Sequence, residues 1–188
     1  MEQIRKYLDQ SFRLTDKDWE IFSSKLDRQE FPKKHILLKA GQVENYLSFV
    51  ESGIIRFYIP NEENGLTFDF AFENSFTSGY SSFLTRSQAI YQIETLTKAI
   101  LWRLTYNDLQ SVYAETGVGN KIGRLASENL FLRKSKRELS LLQETAEQRY
   151  LNLFTEQPKL IEKIPLQYIA SYIGITPQAL SRIRRRIS

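Results

Sequence analysis

The sequence predicts an α+β protein in which a helical start, a strand-rich antiparallel segment, a long helix and a C-terminal pair of short helices follow one another. Three observations predict it. Short aromatic and β-branched runs punctuated by Gly, Pro and Asn fill residues 31–104. Apolar residues then recur in alternating steps of four and three from Val118. The last 23 residues fall into two amphipathic stretches separated by Gly174. The composition suits such a chain: 188 residues can enclose a real core, and 41% hydrophobic with 26% charged residues is ordinary for a globular protein.

Residues 1–28 read as helical. Thr15 is an N-cap with Asp18 three residues on, and Trp19, Phe22 and Leu26 follow at helical spacing. Pro32 marks a break. Ile36–Lys39, Leu47–Val50, Ile54–Ile59, Leu66–Phe72, Ala89–Leu96 and Ala99–Leu104 each read as a strand. Lys39–Gln42, Glu51–Gly53 and Pro60–Gly65 supply turns. Strands this short and this closely spaced suggest an antiparallel sandwich or barrel, with most of the twelve Phe as core.

Thr105 and Asp108 form a second capping box, opening a helix. After Gly117 and Gly119 comes a longer one, in which Val118, Ile122, Leu125, Asn129 and Leu132 make a 3.5-residue seam. Lys136 interrupts it and Leu139 resumes it. Such a seam marks a coiled coil, and a single Asn within it fixes register. A helix packed on its own sheet would carry a similar stripe. A further amphipathic helix over Leu139–Gln157 has Leu142, Ala146, Tyr150, Leu153 and Phe154 as its apolar set, and Pro158 ends it.

Past Pro165, Leu166, Ile169, Ala170 and Ile173 recur at i, i+3, i+4 and i+7, and Gly174 stops the helix. Thr176 caps the next one, with Pro177 in its first turn. Leu180, Ile183 and Ile187 take one face of it; Gln178, Ser181, Arg182 and Arg185 lie roughly opposite. Two helices joined by a short Gly-containing turn form a helix-turn-helix, whose second helix enters the DNA major groove. An ordinary helical hairpin would share the apolar stripes. The outward face separates the two readings: it holds Gln and Arg, which bridge adenine and guanine edges, and no acid occurs from Leu166 onward.

The charge is divided in the same sense. Residues 1–120 carry 13 Lys/Arg and 16 Asp/Glu, a net of −3, whereas residues 121–188 carry 13 and 6, a net of +7. A basic rear behind an acidic front fits a nucleic-acid-binding part joined to a sensing part. The absence of Cys excludes disulfides and iron–sulfur clusters, and the single His35 excludes a multi-histidine metal site, so no metal and no cofactor is expected. The same scarcity of nucleophile–base pairs argues against an enzyme. With no signal-like apolar run and no membrane span, a cytoplasmic protein without membrane contact is expected.

Strand-rich segment, long helix and helix-turn-helix, in that order, resemble the Crp/Fnr family of bacterial transcription regulators. The closest stretches are Glu147–Phe154 and Pro165–Arg185; Phe31–Gly41 and Val50–Tyr58 match more loosely. The resemblance implies a cyclic-nucleotide-binding-type β-roll with flanking helices over 1–115, a dimerisation helix over 116–138 contacting its copy through Ile122, Leu125, Asn129 and Leu132, and a (winged) helix-turn-helix domain over 139–188. It implies that Gln178, Ser181 and Arg182 face base edges or the backbone beside them, that Gln167 and Thr176 meet phosphate, and that Arg185 and Arg186 add charge to the backbone contact. Charge at a helix C-terminus is also what the macrodipole favours in a plain solvated helix end.

The ligand cassette departs from the family pattern. Members that bind cyclic AMP carry Gly-Glu-x-x-Leu followed by Arg-Ser/Thr-Ala. This chain has Ser78–Leu84, with Tyr80 in place of the Glu; the Arg position falls near Ala89 or Ile90, and Arg86 comes three or four residues early, in a loop. A buried phosphate without a positive partner is costly. The resemblance thus implies an effector pocket at Gly79, Tyr80, Ser81, Ser82 and Arg86 that does not take cyclic AMP. The expected partners are double-stranded DNA with a palindromic operator, a second copy of the chain, RNA polymerase and an unidentified small-molecule effector. The alternative is a nucleotide- or small-molecule-binding module that acts through protein partners.

Overall fold

The structure, a computed structural model, describes residues 1–10, 12, 14–62 and 64–187. Ser11 and Arg13 of the expected N-terminal helical stretch, Glu63 of the Pro60–Gly65 turn and the terminal Ser188 lie outside the described residues. The chain divides into two units, one of residues 1–58 and 69–127, the other of residues 59–68 and 128–188.

The first unit is a roll of two four-stranded antiparallel sheets with helices against one of them. Strands β1 (Asp27–Phe31), β8 (Ala99–Thr105), β3 (Tyr46–Ser52) and β6 (Ser75–Thr77) form one sheet in that order. The other has the order β2 (Ile36–Leu38), β7 (Gln92–Thr95), β4 (Ile55–Ile59) and β5 (Leu66–Ala71). Alternation along β8 sends Ala99, Leu101 and Arg103 to one face and Trp102 and Leu104 to the other. The Trp102/Leu104 face packs against α1 (Glu2–Asp9), α2 (Asp16–Ser24) and α4 (Tyr106–Glu115) through Ile4, Leu8, Phe22, Leu109 and Val112. The Arg103 face therefore looks into the roll. In the second sheet Arg56 and Glu94, opposite each other on β4 and β7, form a buried ion pair at 2.8 Å.

The two sequence-legible capping boxes are present: the Thr15 hydroxyl accepts the Asp18 N–H at 3.1 Å and the Thr105 hydroxyl that of Asp108 at 3.2 Å. Several expectations change. The N-terminal helical stretch is two helices and gives way at Asp27 to β1, a polar edge strand whose side chains need no apolar alternation. Strand β6 is too short to signal itself, and β7 begins at Gln92 because Ala89 instead pairs its backbone with Gly41 and Gln42. Tyr80–Thr85 is a short helix, α3.

In the second unit, α5 (Gly119–Gln143) starts in the roll unit and runs past the expected break at Leu139. The break falls at Thr145, whose hydroxyl accepts the Gln148 N–H at 3.2 Å while the Gln148 amide oxygen accepts its own N–H at 2.8 Å. This third capping box starts α6 (Ala146–Glu156). Pro158 stops α6 and also opens a further helix, α7 (Pro158–Lys163), at its first position. Then come α8 (Leu166–Tyr172) and α9 (Pro177–Ile187). No strand follows α5 among the described residues, so the expected wing has no counterpart among them. The 59–68 hairpin tip belongs to this unit: the Thr67 N–H donates to the Ser171 hydroxyl of α8 at 2.8 Å, and that hydroxyl donates to the Gly65 carbonyl at 3.3 Å.

Candidate nucleic-acid interface and effector site

The turn between α8 and α9 is fixed by hydrogen bonds that the sequence requires. Gly174 has φ of +80°, which a Cβ would strain. Its N–H donates to the Ser171 carbonyl at 3.1 Å and the Ile175 N–H to the Ala170 carbonyl at 3.0 Å, the two bonds of a Schellman ending. The last carbonyls of α8 are held from outside: Arg149 Nε donates to Ile173 O at 2.9 Å and Arg137 Nη2 to Tyr172 O at 2.7 Å, with the Arg137 guanidinium over the Tyr172 ring. Thr176 then caps α9, its hydroxyl accepting the Ala179 N–H at 3.2 Å. Ile169, Ala170 and Ile173 are buried, as are Leu180 and Ile183.

This packing leaves one face of α9 to solvent. Gln178, Ser181, Arg182 and Arg185 are all exposed, within an arc of about 100°. Arg182 and Arg185 have no hydrogen-bond or ion-pair partner among the described residues. Arg186 differs, being paired with Glu147 at the start of α6. Ala179, Arg182, Ile183, Arg185 and Arg186 line a shallow open depression along this side. Gln167 and Thr176, at the starts of the two helices, are exposed as well. The six exposed residues other than Arg186 thus lie at the surface of the two helices without competing side-chain partners among the described residues, save the capping bond of Thr176. Sequence reasoning missed Arg137 and Arg149, whose roles depend on carbonyls 35 and 24 positions away.

In the roll unit, three of the five cassette residues, Gly79, Ser82 and Arg86, meet a residue that the sequence did not single out, Glu44. Its carboxylate accepts the Tyr46 N–H at 3.0 Å and the Gly79 N–H at 3.3 Å; its own N–H donates to the Ser82 hydroxyl at 3.0 Å; its carbonyl accepts Arg86 Nη1 at 2.7 Å. Burial pushes the Glu44 carboxyl above its ordinary value of 4.5, against the pull of these N–H donors. Arg86, expected in a loop, ends α3 in the left-handed region at φ 57°. It spends its guanidinium on backbone, on Asn45 and on the Tyr106 ring. Tyr80 stacks on Phe83 and its hydroxyl lies 3.3 Å from that of Ser127 on α5. Ser81 meets the Tyr91 hydroxyl at 3.2 Å. Ala89, at the position expected for the phosphate-binding Arg, is buried, and Ile90 is exposed.

The four residues of the expected α5 seam differ in exposure. Ile122 is turned toward the roll core and Leu125 is half-buried, while Asn129 and Leu132 are exposed. Phe131, Leu132, Leu139 and Leu142 are 70%, 64%, 51% and 76% exposed, a stripe about 100° wide on the lower half of the helix.

The family model of the cyclic nucleotide-binding domain matches residues 28–116. None of the curated proteins matches the chain. Among solved structures it is similar to a CooA mutant from Carboxydothermus hydrogenoformans, at 15% identity and a TM-score of 0.71 over 98% of this chain and 83% of that one. FixK2 from Bradyrhizobium japonicum gives 13% and 0.72 over 86% and 84%. A Crp/Fnr-family protein from Eubacterium rectale gives 19% and 0.70 over 97% and 87%. At these identities the likeness is one of fold. No helix among the described residues is long and apolar enough to cross a membrane.

Proposed function

From a chain that carries a cyclic nucleotide-binding-type domain at residues 28–116 and shares the Crp/Fnr fold along its length, we propose a sequence-specific DNA-binding transcription regulator that works as a homodimer and does not answer to cyclic AMP. The observation that carries this reading is the α9 face: four exposed groups able to hydrogen-bond base edges and phosphates, two of them unpaired arginines, in a segment without acids. Gln178, Ser181 and Arg182 read bases. Gln167, Thr176, Arg185 and Arg186 hold the backbone. The roll senses, α5 pairs two copies, and a palindromic site follows from the two-fold relation of two such readers. The neutral Tyr80 and the engaged Arg86 leave the cassette without a charged partner for a cyclic phosphate.

Selection from a random duplex library tests this directly. On the selected palindrome, Arg182→Ala should cost about 1–3 kcal/mol and relax preference at one position, whereas Arg186→Ala should weaken specific and random DNA alike. No enrichment at moderate salt, or equal losses from both variants on both DNAs, would sink it. Calorimetry with cyclic AMP and cyclic GMP addresses the other half of the reading; micromolar binding of either would contradict it.

A further inference from the structure

The roll unit holds a half-open hollow of about 350 Å³ that shares Glu44 with the cassette's hydrogen bonds and is lined by none of its five residues. Leu37, Leu38 and Val43 give it an apolar wall, and Glu44, Tyr46 and Arg103 its polar end. Arg103 is 9% exposed. Its guanidinium lies 3.7 Å from the centre of the Tyr46 ring and 5.5 Å from that of Phe31. Of its nitrogens only Nη1 has a protein acceptor among the described residues, the neutral Gln29 amide at 3.1 Å; Nε is buried with none. Glu44, the nearest acid in the cavity wall, makes no ion pair with it, because the Glu44 oxygens are turned to the N–H groups of Tyr46 and Gly79. Burial of the guanidinium is the larger influence on its ionisation, outweighing the attraction of Glu44, Tyr46 and Asp27. The guanidinium thus keeps unused donors at the end of a half-open hollow lined by polar as well as apolar groups.

We infer that this cavity binds a small organic monocarboxylate, its carboxylate on the fork of Arg103 and its apolar body against Leu37, Leu38 and Val43. The volume lies at the small end of ligand cavities, which begin at about 300 Å³. A guanidinium fork matches a carboxylate in two parallel hydrogen bonds. A single anionic charge fits better than a phosphate dianion, since one arginine faces it and the Glu44 carboxyl lies in the same wall. Glu44 also ties this cavity to the cassette, through Gly79, Ser82 and Arg86, so an occupant touches the same joint that the cassette helix uses.

The test is a ¹H–¹⁵N titration of the full chain, following the Arg103 Nε–H signal assigned through the backbone. Isovalerate and benzoate are the probes, with benzamide and inorganic phosphate as the uncharged and the tetrahedral comparison. A saturable shift with the carboxylates alone is expected. Arg103→Gln should abolish it, and Arg103→Lys, which keeps the charge and loses the fork, should weaken it about tenfold, roughly one charge-assisted hydrogen bond. No saturation up to about 10 mM, well past a millimolar Kd, overturns the proposal. So does equal binding of benzamide or phosphate, or undiminished binding by either variant. Should Arg103→Gln fail to fold, the Lys variant and the wild-type titration decide alone.

Discussion

Glu44 carries four hydrogen-bonding roles at once, and each draws on a different atom of the residue: both carboxylate oxygens, the N–H and the carbonyl. Because burial raises its pKa in the folded state, the sign of its pH effect is opposite to that of a salt-bridged acid. Below the ordinary value of 4.5 both folded and unfolded chains are protonated there; as pH climbs from that value through the raised one, the unfolded chain loses its proton first and stability falls. Glu44→Gln removes this slope. Melting temperatures of wild type and variant should therefore diverge in favour of the variant as pH rises above about 4.5, the ordinary carboxylate value, and parallel curves from pH 4 to 8 would show that Glu44 does not titrate in this way. Residues of this kind were not legible in the sequence. Thr15, Thr105 and Gly174 were, since their partners lie within three or four positions; Glu44, Arg103, Arg137 and Arg149 act on atoms 24 to 74 positions away. The arginines of the basic rear divide accordingly, Arg137 and Arg149 serving the turn and Arg182 and Arg185 left to solvent.

Elements were readable where a period or a cap marked them. The β3, β4, β5 and β8 strands announce themselves by β-branched and aromatic runs, whereas β1, an exposed polar edge, owes its conformation to pairing with β8 from Asp27↔Arg103 to Phe31↔Ala99. In the long helix a 3.5-residue period and a helical face do not stay in step. A strict 3.5-residue seam and a straight helix of 3.6 residues per turn diverge by about 20° per heptad. Along α5 that drift takes Ile122 into its own core and brings Phe131 and Leu142 beside Leu132 and Leu139. Burying a leucine of this kind stabilises by about 1.5–3 kcal/mol, enough for four such side chains on each of two copies to hold a dimer. Leu132→Glu with Leu139→Glu should convert the proposed dimer to monomer in sedimentation velocity and leave the helical circular dichroism intact, since both side chains are exposed. A dimer that survives the double change would move the interface elsewhere.

At the scale of the whole molecule, the sequence conveyed the order of parts and the asymmetry of charge but not how the chain is shared between its units. The chain passes between them three times, at residues 58/59, 68/69 and 127/128, because the hairpin tip at 59–68 groups with the terminal helices. A turn signal such as Pro60–Gly65 marks where the chain reverses and says nothing about which body receives the loop. The link is concrete: the Thr67 N–H, on a residue 1% exposed, relies on the Ser171 hydroxyl. Ser171→Ala should cost about 0.5–1.5 kcal/mol and speed hydrogen exchange at the Thr67 amide. Unchanged protection there would mean that the amide has another acceptor.

The same bond bears on how such a chain can be recombined. A serine inside α8, the helix on which the exposed α9 is seated, completes a hydrogen bond begun by a residue a hundred positions earlier. Exchanging residues 128–188 for a helix pair of another origin would remove the Ser171 acceptor of the Thr67 N–H unless the newcomer offered one in the same place. The exchangeable piece is therefore discontinuous, a tail together with a ten-residue loop. Lineages that shuffle their C-terminal helices would have to carry that loop along, or re-evolve it.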